Sequence, residues 1–526
     1  MVLWEKVEQL VRYCGQYQSH GYMMDERNQD NDFHVELPEE QQIKRSIGKL
    51  KVILLTGEAG DGKSRILRNV RELIVGQGFS EPCSDFSALS EREKQELILR
   101  LGKVLRGQSL EKLMILANVG VFTQAVLQAD IEMMEELIGG REDVFIRNFE
   151  KRNLAENEQV FRQIVDQFLS CEGECDQREC PCYGKCAFER NLKKMTQDEG
   201  TEAFRVICNT IYLTGGHITF RELLSLLAYL VTFGESCAER KDQAKGLDGE
   251  EYAVYQERRL YYNVFEDSSD LLLRKVANMD PGLKRGGYPG EVVTRRDYIR
   301  YRRRQFFEPM ADPEERYKYL NVDYLAEYYD VLRHIHCPPY YFDTVQDRNP
   351  FLQKLKRGIN KMCNQGKSDT GLVVTDTPAI FDKKMHTEFL VIQDMKMIWH
   401  RHDLRPGVKE KLADRLWNKF CLSCMAGEGS GRKLISLQID YRQFRYLMMC
   451  SEDYFLNRSG MAEEEYSVNT FYRKILETKE HSYDVMNICF DAGTEAYCDF
   501  SLRIHAEEDW FGGGDVKQSI VIKRED

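Results

Sequence analysis

The sequence lacks any apolar run of eighteen or more residues, and glutamates interrupt the short apolar stretch near its N-terminus. We therefore expect neither a membrane span nor a secretory signal, and we predict a cytoplasmic protein. Internal repeats and low-complexity tracts are absent as well. The chain has 526 residues, of which 42% are apolar, so it can form the buried cores of two to four domains.

Net positive charge is also lacking, since 86 acidic residues outnumber 74 basic ones and the formal net charge is −12. This balance argues against a protein that coats nucleic acid non-specifically, so we expect DNA contacts only at a local basic patch. The best patch is TRRDYIRYRRRQFF, which contains Arg295 to Arg304. If this segment is helical, four arginines fall on one side: Arg296, Arg300, Arg303 and Arg304. Such a face suits DNA, an acidic protein surface or the nucleotide of an adjacent subunit.

Several catalytic signatures are missing, among them G-x-S-x-G, H-E-x-x-H and the protein-kinase loop. Asp376 and Asp394 could hold a nuclease metal, although surface charges at strand ends are the simpler explanation for them and for Asp440. His400 and His402 are expected to be surface or core residues rather than ligands. We therefore interpret the C-terminal half as an interaction region and assign any DNA cleavage to a partner.

The pattern of the chain predicts four regions. Residues 1–45 form an N-terminal helical segment, and residues 46–150 form an α/β core in which strands alternate with helices around a parallel sheet. A helical lid with a cysteine cluster follows over 151–285, and a C-terminal α+β region over 286–526. The boundary between the last two lies in a glycine- and proline-rich stretch, Pro281 to Gly290.

A glycine-rich motif, GEAGDGKS, stands directly after the apolar run VILLT and at the start of a helix-like stretch. Gly57, Gly62, Lys63 and Ser64 fit G-x-x-x-x-G-K-[ST], the pattern of a loop whose backbone amides point at phosphate oxygens. Lys63 is expected to reach the β and γ phosphates, and Ser64 to bind Mg²⁺. No guanine-reading segment follows, so we expect ATP. The predicted nucleotide contacts are Gly57, Glu58, Ala59, Gly60, Asp61, Gly62, Lys63, Ser64 and Arg65.

Hydrolysis needs further groups around the γ-phosphate. Asp85 is the best acid for the metal side, although a helix N-cap explains it equally well. Asn118 ends an apolar strand-like run, where it could orient the attacking water. Arg221, at the start of the apolar helix FRELLSLLAYLV, could contact phosphate from the lid, while a solvated arginine is the simpler alternative.

Five of the sixteen cysteines lie within one short segment, SCEGECDQRECPCYGKC. Thiolates at this density repel one another unless a cation neutralises them, so we expect a bound metal. Zn²⁺ is favoured and an iron–sulfur cluster stays open. The best-separated ligands are Cys171, Cys175, Cys180 and Cys186, and Cys182 is spare or replaces Cys180. Cys421 and Cys424, on a helix-like run, are expected to be core cysteines.

Taken together, GEAGDGKS, DFSAL, ILANVGVF and YYNVFE…LLLRKVANMDPG resemble an AAA+ type P-loop ATPase of the ASCE class. More narrowly, the first 285 residues or so are similar to the ATPase component of DNA phosphorothioation-dependent restriction systems, which act in bacterial anti-phage defence. The resemblance implies a P-loop NTPase fold in which Asn118 is the first sensor and Arg221 the second.

It further implies an ATP-hydrolysing component that works with DNA and other defence proteins. The aspartate–glutamate pair usual at the metal strand is absent, which leaves the catalytic base unassigned. The alternative is a STAND-like signalling scaffold that holds nucleotide, turns it over slowly and changes oligomeric state.

Overall fold

The fold is mixed α/β and mostly helical, and the chain passes from a first compact unit to a second one after Val322. No helix in the described part of the chain is long and apolar enough to cross a membrane. The computed structural model describes residues 2–15, 35–129, 133, 136–137, 141–171, 175, 177–245, 260–266, 270–284, 294–310, 315–336, 350–364, 372–374, 387–393, 398–401, 419–426, 433–452, 462–477, 483–490, 500–507 and 517–524.

A small parallel sheet organises the first unit. Its strands are β1 (Val52–Thr56), β2 (Leu113–Ala117) and β3 (Val144–Asn148), in the spatial order β2-β1-β3. β1 and β2 are buried along their whole length, as expected for apolar runs in the middle of an α/β layer. All three strands run the same way, so their carboxyl ends meet at one edge of the sheet. The predicted parallel α/β sheet is therefore confirmed in this coarse form.

Among the described helices of this region, two precede the sheet and three lie between its strands. They are α1 (Leu3–Gly15), α2 (Pro38–Ser46), α3 (Lys63–Gly76), α4 (Glu91–Leu105) and α5 (Val119–Ala129). A capping box formed by Ser90 and Glu93 begins α4, which packs with α5 and the sheet in a core that includes Phe86 and Phe122. The helical character predicted for the N-terminal segment is present as α1 and α2.

A run of helices follows the sheet, as the apolar patterns after Asn148 predict. The most extensively buried of them starts at Phe220, and its sequence is apolar on nearly every side. These helices are α6 (Glu158–Leu169), α7 (Ala187–Met195), α8 (Asp198–Leu213), α9 (Phe220–Thr232), α10 (Cys237–Ala244), α11 (Leu260–Asn263), α12 (Leu271–Asn278), α13 (Arg295–Phe306) and α14 (Glu315–Tyr319).

The arginine-rich helix α13 belongs to this first unit. Arg303 donates to both carboxylate oxygens of the buried Asp280, at 3.0 and 2.7 Å, and Phe306 packs edge-on against Phe265. The chain therefore leaves the unit after Val322, whereas the boundary predicted from glycine and proline content lies after residue 285.

The second unit contains two antiparallel sheets, with strand orders β11-β10-β9-β5-β4 and β6-β7-β8. The strands are β4 (Leu372–Val374), β5 (Thr387–Gln393), β6 (Ile398–Arg401), β7 (Phe420–Ala426), β8 (Lys433–Ile439), β9 (Tyr483–Phe490), β10 (Phe500–Glu507) and β11 (Lys517–Arg524). Its helices are α15 (Leu325–His336), α16 (Pro350–Asn364), α17 (Tyr441–Ser451) and α18 (Ala462–Glu477). Both strands and helices are present, as the α+β prediction requires.

Three predictions about this unit have different outcomes. The helix-like assignment of Cys421 and Cys424 is wrong, because they lie on strand β7, which pairs with β6 and β8; Cys421 is nevertheless buried. Asp440 is a helix cap, since its Oδ1 accepts the N–H of Gln443 at 2.9 Å. His400 lies on β6. Asp376, Asp394 and His402 lie outside the described residues.

Candidate functional site

The glycine loop, Gly57–Ser64, connects β1 to α3 at the carboxyl edge of the parallel sheet. Gly57, Gly60 and Gly62 have φ values of 148°, 99° and 89°, which side-chain-bearing residues rarely adopt. A Cβ added to Gly57 would lie 2.5 Å from Asp61 Oδ2 and 2.9 Å from Phe149 Cβ. The tight path of this loop therefore requires glycine.

Lys63 is folded back over the glycine loop. Its Nζ donates to the carbonyl oxygens of Gly57, at 2.9 Å, and Glu58, at 2.7 Å. Burial lowers the pKa of Lys63, and the nearby carboxylates of Asp61, Asp85 and Glu150 oppose that shift. The ammonium group therefore stands at the mouth of the loop within a set of acidic side chains.

Asp61 lies in the middle of the loop, and its side chain is fully buried. Its Oδ2 accepts the backbone N–H of Glu58 at 2.6 Å, and its Oδ1 lies 2.8 Å from Nε2 of His217. The guanidinium of the buried Arg152 donates to its backbone carbonyl at 2.6 Å. Arg152, which follows β3, and His217, which precedes α9, thus hold the centre of the loop.

The start of α9 packs directly on the loop. The N–H of Arg221 donates to the carbonyl of Gly60 at 3.1 Å, and a capping box between Thr219 and Glu222 begins the helix. The guanidinium of Arg65 lies 5.4 Å from the ring centre of Phe220. The backbone of Arg221 is thus at the loop, and its side chain is exposed.

Asp85 lies where the sequence predicts an acid after a strand-like segment. Isolated parallel bridges, Phe79 to Lys112 and Cys83 to Ile115, place that segment along the outer edge of β2. The Oδ1 of Asp85 accepts the N–H of Ser87 at 2.9 Å and caps a short 3-10 turn. The side chain is exposed, so the cap is present and the metal-side role stays a prediction.

Asn118 follows β2 at the same edge and begins α5. Its Oδ1 accepts the N–H of Gly120 at 3.0 Å and that of Val121 at 3.4 Å. The side-chain oxygen is therefore engaged in capping, and the amide Nδ2 is the group that can donate to a ligand or a water. The predicted water-orienting role depends on this donor.

An open cleft of about 680 Å³ begins beside Asn118. It includes Glu150, which follows β3 and lies close enough to Lys63 to affect its pKa. The sequence does not predict Glu150, Arg152 or His217. The signal for the first two is the short apolar run VFIRN, which ends at the same edge as β1 and β2. The cleft is lined by Asn118, Val119, Gly120, Thr123, Gln124, Leu127, Gln128 and Glu150.

The cysteine segment, residues 171–186, lies between α6 and α7. Successive turns carry the chain from Cys180 to Cys186, with Gly184 at φ 70°, and Cys186 stands directly before α7. Cys182 is buried at 4% exposure. Among the described residues, no three His, Cys, Asp or Glu side chains are placed together as ligands of one metal. The predicted tetrahedral set stays a prediction.

A sixth cysteine approaches this segment from elsewhere in the chain. Cys237 is the first residue of α10, and Arg240, one turn later, lies 5.7 Å from the ring centre of Phe188 in α7. Burial raises the pKa of Cys237 to about 12, and the thiols of Cys186, Cys175 and Cys180 contribute to that rise. Nothing in the spacing of Cys237 predicts this neighbourhood.

A scan against protein-family models, a search of curated proteins and a search of solved structures each give no match to this chain.

Proposed function

We propose that the chain binds ATP with Mg²⁺ at the glycine loop and hydrolyses it, as the ATPase subunit of a DNA-targeting bacterial defence complex. The observation that carries the ATP site is Lys63, whose Nζ lies 2.9 and 2.7 Å from two carbonyls of the loop. A triphosphate offers the same ammonium charged oxygens, and hydrogen bonds between charged groups are stronger than those to carbonyls.

The backbone and side-chain groups around the loop fit both ATP and Mg²⁺. Glycine at positions 57, 60 and 62 permits the positive φ values with which the backbone of the loop turns, and backbone amides in such a turn can bind phosphate oxygens. Ser64, exposed in the first turn of α3, and Asp85 offer the hard oxygens that Mg²⁺ prefers. The ion would supply positive charge to the phosphates, while Asn118 and Arg221 act from the neighbouring strand and the lid.

Slow turnover is the alternative, and specific contacts favour it. The Oδ1 atoms of Asp85 and Asn118 both accept backbone N–H groups, so each of these side chains already has a capping role. A STAND-like scaffold would retain nucleotide without rapid hydrolysis. Rates of phosphate release with and without duplex DNA separate the two, since stimulation by DNA supports the defence ATPase and tight retention with slow release supports the scaffold.

The DNA and defence parts of the proposal depend on the sequence resemblance and on α13. In that helix Arg295 and Arg296 are exposed, whereas Arg303 is engaged with Asp280 inside the first unit. Arg295 and Arg296 are therefore the residues we assign to phosphate contacts on DNA. Of the one-sided arginine face expected from the sequence, only Arg296 and Arg304 are exposed.

A structural metal in the cysteine segment completes the proposal. Zn²⁺ is the first choice, with an iron–sulfur cluster as the alternative, because thiolates in close proximity need a cation. Cys175, Cys180 and Cys186 are ligands predicted from the spacing, and they lie close enough to Cys237 to affect its pKa. We propose Cys237 for the fourth position, in place of Cys171, with the thiols drawn together on metal binding, because the described side chains are not already placed as one metal site.

The ATP site is tested by thermal unfolding and calorimetry with Mg²⁺ and ATP. Bound ATP at about one hundred times its Kd should stabilise the chain by about 2.7 kcal/mol and raise Tm. Lys63→Ala should remove this rise. The matched control is Lys103→Ala, an exposed lysine of α4, which should behave as the wild type. An unchanged ATP response in Lys63→Ala would contradict the proposal.

A further inference from the structure

The glycine loop and the lid share a buried polar contact that the ATP site itself does not explain. Asp61 is fully buried, and its Oδ1 lies 2.8 Å from Nε2 of His217, in the segment just before α9. His217 is itself largely buried, with 16% of its side chain exposed. A buried carboxylate needs such a partner, because an unpaired one carries a large desolvation cost.

The protonation pattern of this contact follows from its chemistry. An ionised carboxylate only accepts hydrogen bonds, so with Asp61 in that form the contact requires the tautomer in which the N–H of Nε2 in His217 donates the hydrogen bond. The other ring nitrogen, Nδ1, is buried and has no hydrogen-bond partner within the described part of the chain. Asp61 is therefore the group that orients the imidazole there.

The same carboxylate holds a loop amide. The Oδ2 of Asp61 accepts the N–H of Glu58 at 2.6 Å, so one side chain connects the lid segment to the backbone of the loop. A second contact runs in parallel, from the N–H of Arg221 to the carbonyl of Gly60 at 3.1 Å. A Cβ on Gly60 would lie 3.1 Å from Cβ of Arg221, which leaves little room between loop and helix.

We propose that His217 is a positioning residue that couples ATP binding in the glycine loop to order at the start of α9. The inference rests on the proposed ATP site. Phosphates that engage the loop amides restrict the backbone from Glu58 to Gly62, and this restricts the Asp61 carboxylate and the imidazole bound to it. Because coupling between two sites is reciprocal, a firm lid contact also strengthens ATP binding.

The experiment measures ATP affinity by calorimetry and hydrogen–deuterium exchange of residues 216–222, with and without Mg²⁺ and ATP, on the full chain. In the wild type, ATP should slow exchange in this segment. His217→Ala should abolish that slowing and raise the Kd for ATP about tenfold, the scale of one hydrogen bond to a charged group.

Two further variants separate coupling from a general loss of structure. His217→Gln keeps an N–H donor at a similar reach and should restore the ATP-dependent slowing and bring the Kd to within about threefold of wild type. Gln243→Ala, an exposed position of α10, should have no effect. Exchange elsewhere in the first unit reports whether the fold is intact.

The outcomes distinguish the two proposals. If the wild type binds ATP and His217→Ala retains both the affinity and the slowing, the coupling is wrong and the ATP site stands. If His217→Gln fails to restore the slowing in an intact fold, the hydrogen bond is not the coupling element. If the wild type does not bind ATP, the ATP site is wrong and the coupling falls with it.

Discussion

The glycine loop and the cysteine segment of the first unit differ in where the partners of their side chains come from. In the loop, Lys63 bonds to Gly57 and Glu58, six and five positions earlier in the chain. In the cysteine segment, Cys186 lies in the electrostatic neighbourhood of Cys237, a residue at the start of a later helix. A local motif can carry most of its own geometry, whereas a ligand cluster depends on how helices pack.

The loop is not independent of tertiary structure either. Asp61 contacts His217 and Arg152, both far away in sequence, and α9 packs against Gly60. The difference between the two regions is therefore one of degree. The glycines of the loop set its backbone path, and distant residues surround it. In the cysteine segment, a distant residue is also proposed as a metal ligand.

The largest effect is expected from removing the loop's own geometry. Gly57→Ala would place a Cβ 2.5 Å from Asp61 Oδ2 at a φ of 148°, so the loop must distort. We expect ATP affinity to fall at least about one hundredfold, or about 3 kcal/mol, as measured by calorimetry. Gly48→Ala is the matched control, because nothing lies within 4 Å of its added Cβ. Equal ATP affinity in the two variants would show that ATP binding does not require glycine at position 57.

The next effect tests whether the cysteine segment depends on a distant ligand. We expect the purified chain to contain about one Zn²⁺, as measured by elemental analysis, and Cys237→Ser to lose most of it. Chelation of the wild type and Cys237→Ser should both lower Tm by several degrees, since metal binding contributes to folding. Cys171→Ser should keep its metal. If Cys171→Ser loses its metal and Cys237→Ser keeps it, the ligand set predicted from the cysteine spacing is the correct one.

The smallest effect concerns α13, where packing leaves some arginines exposed and engages another in a buried ion pair. The double variant Arg295→Ala with Arg296→Ala should weaken duplex DNA binding about tenfold near physiological salt and reduce the salt slope by about two, with little change in stability. Arg303→Ala should instead destabilise the fold, because it leaves buried Asp280 without its ion-pair partner. Titrations at several salt concentrations and urea unfolding check both, and unchanged DNA binding in the double variant excludes a DNA role for these arginines.

Much of the fold is predictable because the strands of the first unit are apolar and short, and their helices have clear starts. VILLT and LMILA predict buried strands, and the S-x-x-E pattern before α4 matches the capping box that Ser90 and Glu93 form there. The strand VFIRN is not predicted, since only its pairing with β1 shows that it belongs to the sheet. FCLSCMA looks helix-like in sequence, but its pairing with β6 and β8 makes it a strand. The sequence of the segment alone does not show that pairing.

The candidate site divides in the same way. Asn118 follows strand β2 as expected, whereas Asp85 follows a segment that makes only isolated bridges to the β2 edge. Each also caps a following turn or helix, which residue type alone leaves open. Glu150 and Arg152 are not expected, because their place depends on β3 lying beside β1. His217 carries no sequence signal, since a lone histidine before a capping box is common in loops and helix starts.

Local signals suffice for the strand, glycine loop and helix from Val52 to Gly76, because β propensity, φ requirements and helix start signals act over a few residues. The packing of the whole unit, by contrast, selects which distant side chains surround that loop, which arginines of α13 stay exposed and which cysteine approaches the cysteine segment. These outcomes depend on burial and charge pairing between elements far apart in the chain. The spacing of nearby residues in the sequence does not reveal the energies of such contacts.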